Sequence, residues 1–198
     1  MELIRRVNWV DILAIIILIR TSYISLQAGL SSELFSLLGV YLNIILTLNY
    51  YTKIGRIISE TIPGFTLVLA NFISFLSIAV ILAVLFRLIR AILDRVIKIE
   101  WHPLIERLGG LVAGLARSCL AVSLVLIILI LLPLPYMQWS IRDRSLSGMF
   151  FLKIGPSAYA KSLNALPWLS KKGEPVNTEE LMAALTAEKS FKTILKKE

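Results

Sequence analysis

Histidine and cysteine are almost missing: His102 and Cys119 stand alone among 198 residues. An internal disulfide is therefore excluded, and so is a thiolate or imidazole metal cluster built by this chain alone. Charge is scarce as well. Asp, Glu, Lys and Arg make up 17% of the sequence, against about 25% in ordinary soluble domains. No GxSxG, HExxH or glycine-rich phosphate loop occurs, so the residue sets used by most hydrolases and transferases are lacking. A carboxylate pair from Asp11 and Glu33 would have to meet at one depth, and their positions point toward opposite faces. The expectation is a non-enzyme that holds no cofactor and no metal.

What is present is apolar. Hydrophobic residues reach 57%, and they come in long charge-free blocks separated by short clusters of Arg, Lys, Asp and Glu, the pattern of membrane spans and loops. The net charge of +8 comes with no aromatic-interleaved basic module that could read bases. Its basic residues sit beside apolar blocks, which points to anionic lipid headgroups rather than nucleic acid. Arg5 and Arg6 precede the apolar run from Ile12 to Ile19 as in a signal peptide. Asp11 interrupts it, however, and the bulky Leu26 sits where cleavage after Ala28 wants a small residue, so the segment reads as a retained helix.

Residues 34–51 and 65–86 carry no charge, and 109–132 carries only Arg117. At about 1.5 Å per residue each is long enough for a hydrocarbon core of about 30 Å. Residues 9–25 make a weaker span, because Asp11 and Arg20 oppose insertion, though both lie toward its ends. The spacing therefore predicts an all-α, polytopic membrane protein. Residues 1–132 form a four-helix transmembrane domain, 133–170 an amphipathic segment lying on the membrane surface, and 171–198 a soluble helical tail. Gly29, Ser31, Ser32 and Glu33 predict a turn with a serine cap between the first two spans. Pro63 with Gly64, and Pro133 with Pro135, punctuate the others. Residues 87–108 are charged yet amphipathic and read as a connection anchored at the interface by Trp101. Basic residues nearly balance across the two sides, and the weight of the first helix places both termini in the cytoplasm.

Polar residues inside the spans are ordered. Glu33, Ser36, Gly39, Asn43, Thr47 and Tyr50 share one face of the second span. Asn71, Ser74 and Ser77 do so in the third, and Gly110, Gly114, Arg117 and Ala121 in the fourth. Gly110 and Gly114 form a small-xxx-small pair that allows close backbone approach. Two readings stand: glue between helices, or a polar path for a solute or ion. Depth makes Glu33 the acceptor for Arg117 or Arg20, with Arg117 reaching headgroups as the alternative. Asp11 reads as a helix-start acid favoured by the dipole, the alternative being a proton carrier.

Three of these features, in order, resemble the colicin V production protein (CvpA) family of small bacterial inner-membrane proteins. They are Asn8-Trp9-Val10-Asp11 before an apolar run, Gly29-Leu30-Ser31-Ser32-Glu33 followed by Leu34 to Gly39, and Glu106-Arg107-Leu108-Gly109-Gly110 with Gly114 and Arg117. Relatives commonly carry basic residues where this chain has Ala28 and Ser32. The resemblance and the polar faces together single out Asp11, Gly29, Glu33, Gly39, Asn43, Arg107, Gly110, Gly114 and Arg117 as motif or packing residues. It implies an inner-membrane protein tied to colicin V production, toxin export and envelope maintenance, with no defined reaction. The expected function is thus a non-enzymatic membrane component acting by helix association, with the lipid bilayer, a second copy or other membrane proteins as partners. The alternative is an oligomeric channel or small-solute transporter.

Overall fold

The computed structural model describes residues 8–62, 64–96, 102–132, 134, 136–137, 140–141, 145 and 147–165. Four α-helices follow one another: α1 Trp9–Thr61, α2 Leu67–Val96, α3 Pro103–Leu131 and α4 Gly148–Ala165, with no strand among the described residues. The first three are long and apolar enough to cross a membrane.

α1 starts where Asn8 caps it and stops at Thr61, with Ile62 in an extended conformation (φ −110°, ψ 108°), as suits the residue before Pro63. Its 53 residues would extend about 80 Å if straight, more than twice the hydrocarbon thickness. Gly29 breaks it with φ 79° and ψ 166°, a conformation that costs glycine little and any other L-residue much. The arms 9–28 and 30–61 fold back on each other. Ser25 and Glu33, four residues before and after Gly29, both face Gly114 of α3. Val10 and Ala14 of the first arm share one apolar core with Ile44, Ile45 and Leu48 of the second. Folded at Gly29, α1 joins α2 and α3 to give four packed rods.

α2 runs antiparallel to the second arm. Asn43 Nδ2 donates to the Ala79 carbonyl at 3.0 Å, Tyr51 meets Phe75 edge-on with centroids 5.4 Å apart, and Ser32 meets Asp94. Its other side is exposed at Val80, Ile81, Val84, Leu88 and Ile92, and it barely meets α3. α3 opens with Pro103 at its start, where the missing N–H costs nothing. It buries Gly110, Ala113, Gly114, Val122, Leu126 and Ile130 between the two arms of α1.

Several expectations need revision. The expected spans 9–25 and 34–51 fall in the two arms of α1, but the turn at 29–33 shrinks to Gly29 alone, since one left-handed residue suffices to reverse the rod. Ser32 bonds across to α2 instead of capping. α2 runs on through 87–96, past the end of the expected span 65–86, because charged residues favour a helix that leaves the bilayer as readily as a loop. Within 148–165, Phe151, Leu152 and Tyr159 are buried against α1 and α3, while Phe150 stays exposed on the other side. Trp101 and the tail 171–198 lie outside the described residues.

Candidate functional site

Near the Gly29 end, three elements converge on one carboxylate. Glu33 is wholly buried, and Arg117 of α3 brings Nε to 3.1 Å from its Oε2. Arg90 of α2 stands on the other side, with Nη2 4.0 Å from Oε1. Arg90 is itself held: Nη2 and Nε donate to Ser32 Oγ at 2.7 and 3.1 Å, and Nε lies 3.4 Å from Asp94 Oδ2. Ser32 Oγ donates to the same Asp94 oxygen at 3.1 Å. Two carboxylates and two guanidinium groups make a cluster that is neutral as a whole, which is what allows four ionised groups to sit at a helix junction. Neither oxygen of Glu33 nor Arg117 Nε has an aligned hydrogen bond among the described residues. Charge, rather than hydrogen-bond geometry, holds the central pair.

Glycine makes that pair reachable. A Cβ on Gly110 would lie 2.9 Å from the Ser25 carbonyl oxygen and 3.1 Å from the Gly29 carbonyl carbon, and one on Gly114 would run into the Ser25 side chain. With hydrogen alone at both places, α3 comes close enough for Arg117 to meet Glu33. Glu106 packs over Gly29, where a Cβ would be 2.6 Å from its Oε1. Gly39 gives α2 the same access, since a Cβ there would be 3.1 Å from Phe86 Cβ.

The opposite end has its own polar cluster. Asn8 and Asp11 form a capping box on α1, with the Asn8 N–H donating to Asp11 Oδ2 at 3.0 Å. Asp11 Oδ1 accepts from Ser145 Oγ at 2.7 Å, Ser147 N–H at 3.0 Å and Ser147 Oγ at 2.6 Å. Asn8 Nδ2 and Trp9 Nε1 donate to Ser140 Oγ. One carboxylate thus starts the first rod and fastens the segment leading into α4. Asp11→Ala should lower stability by about 1–2 kcal/mol, the scale of a lost N-cap, and should make residues 140–147 cleavable at low protease, as a melt and a digestion time course would show.

The model of the colicin V production protein family matches residues 10–155. The chain belongs to this family. No curated protein and no solved structure matches it. The family match takes in Asp11, the Glu33 cluster, the Gly110–Gly114 window and the start of α4.

Within this family member the remaining candidates divide. Asn43 accepts from Thr47 Oγ1 at 2.9 Å while donating to α2, and Ser36, Gly39 and Thr47 are buried with it. Arg107 is exposed and joins neither cluster, as does Arg20, so Arg117 is the cation that Glu33 takes. Sequence reasoning did not single out Arg90 and Asp94 as site residues, nor the serines that hold Asp11, while Glu106 stands in the third motif without a stated role. Arg90 and Asp94 do stand one turn apart, a spacing that marks an ion pair once the segment is recognised as helix. No such pattern announces the serines, which approach Asp11 from far along the chain. Asn49, which accepts from the Tyr159 hydroxyl at 3.3 Å, was equally silent.

Proposed function

We propose that this chain is a non-catalytic component of the bacterial inner membrane that supports colicin V production and export and envelope maintenance, acting through helix association with itself or other membrane proteins. Family membership supports the tie to colicin V production. The observation that carries the mode of action is how the polar residues of the spans are engaged. Glu33 and Arg117 join the second arm of α1 to α3, and Asn43 joins that arm to α2. Side chains used in this way are interhelical glue rather than the lining of an aqueous path. The non-catalytic reading rests on the sequence, which carries no nucleophile-and-base motif. With four crossings both termini share one side, and we assign that side to the cytoplasm.

Cells producing colicin V should secrete less toxin when this gene is removed and recover when it is restored, measured as secreted activity at equal cell density. Unchanged secretion would sink the export role. A reporter fused at the carboxyl terminus should be active only in its cytoplasmic form. Asn43→Val should lower stability by about 1 kcal/mol, the scale of one interhelical side-chain bond in a membrane, and a melt in detergent reads this directly.

One observation favours the channel reading. Asn49 Nδ2, Asn71 Oδ1 and Ser74 Oγ are buried with no hydrogen bond among the described residues, and such groups are ordinarily satisfied. Four rods leave little room for a pore, so a path along these atoms would have to be completed by a second copy. Solute flux through purified protein in liposomes decides between the readings: robust flux selects the channel, and tight vesicles select the association component.

A further inference from the structure

The outer side of α4 carries a groove of about 500 Å³, lined by Tyr41, Phe150, Lys153, Ile154, Ser157 and Lys161 among others. The α4 residues recur at three and four positions and so share one face. Lys153, Ser157 and Lys161 follow one another on successive turns, about 6 Å apart along the axis, and all three are exposed. Neither lysine has an ion-pair partner among the described residues. Between and beside them the wall is apolar: Phe150 is 66% exposed. The ring of Tyr41 closes the far side with its hydroxyl already bonded to Ser162 Oγ at 2.7 Å.

With α1 and α3 crossing the bilayer, as proposed above, this face is open to lipid. α4 is seated on membrane-crossing helices, with the Gly155 N–H donating to Ser123 Oγ of α3 at 2.8 Å and Tyr159 reaching Asn49 in the second arm of α1. Hydrocarbon alone would leave two ammonium groups unsolvated, and water alone would leave Phe150 and Ile154 wet. A molecule with a negative head and an apolar body satisfies both. We propose that the groove binds an anionic phospholipid of the surrounding leaflet. The four-carbon stems of Lys153 and Lys161 converge on its phosphate, Ser157 donates its hydroxyl, and an acyl chain lies along Phe150 and Ile154.

The test uses the full-length chain, purified in mild detergent with equal phosphatidylglycerol and phosphatidylethanolamine, its bound lipids counted by native mass spectrometry. Lys153→Gln with Lys161→Gln should lower bound phosphatidylglycerol about thirtyfold, as expected for two lysines beside an anionic headgroup, and leave bound phosphatidylethanolamine unchanged. Arg20→Gln with Arg87→Gln, which removes as many exposed charges elsewhere, should retain phosphatidylglycerol. Equal loss in both pairs, or no loss in the first, overturns the site. The single exchanges Lys153→Gln and Lys161→Gln, each expected to lose about fivefold, carry the same test if the double variant fails to fold. Inorganic phosphate at matching concentration should not displace the lipid; displacement would assign the site to a free anion.

Discussion

Arg117→Met should destabilise the bundle by about 3–5 kcal/mol, the cost of leaving one member of a buried ion pair without its partner. Glu33 is 0% exposed, so no water can replace the lost guanidinium. Arg90 cannot replace it either, since it stands 4.0 Å off and is tied to Ser32 and Asp94. Glu33→Gln should cost less, because a neutral amide is cheaper to bury than a carboxylate. Joining the two exchanges should restore most of the loss: with both charges gone, nothing buried is left unbalanced. Unfolding midpoints of the two single variants and the double variant in one detergent test this, and a double variant as unstable as the sum of the singles would show that the pair is not coupled.

Gly110→Ala should cost about 1–3 kcal/mol, the usual penalty for forcing a methyl into a filled contact. The added Cβ would lie against Ser25 and Gly29 backbone atoms, and backbone cannot rotate aside. α3 must then move outward, which draws Arg117 away from Glu33 and adds to the penalty. The neighbouring glycine supplies the control. A Cβ on Gly109 would be 2.9 Å from Leu30 Cδ1 and Cδ2, the far end of a flexible side chain that can swing clear, while alanine gains about 1 kcal/mol of helix propensity over glycine. Gly109→Ala should therefore melt at or above the parent temperature and Gly110→Ala well below it. If the two shift alike, helix propensity rather than close approach governs this junction.

The four rods were legible because lipid imposes a demand that water does not: a run of apolar residues of fixed length leaves little else for the chain to do. Pairing Glu33 with Arg117 could be read from depth for the same reason, since buried charges at one level must find each other. Arg90 escaped because residues 87–108 looked like a connection. A helix projecting from the bilayer and a polar loop have similar composition, and composition carries no hydrogen-bond pattern. The seating of α4 escaped for another reason. Phe151, Leu152 and Tyr159 would suit a lipid surface and a protein surface equally well, and only tertiary contact with Ser123 and Asn49 distinguishes them. Asp11 was recognised as a helix-start acid, while its serine ligands, Ser145 and Ser147, stand more than 130 residues away and left no periodic trace.

The Glu33–Arg117 contact also bears on how the protein is made. Glu33 leaves the ribosome with the first hairpin, whereas Arg117 follows only after α2 has emerged. Until then the carboxylate has no place in oil. The hairpin should stay sheltered beside the insertion machinery until α3 arrives, so that its release waits on the meeting of two charges rather than on the entry of any single segment.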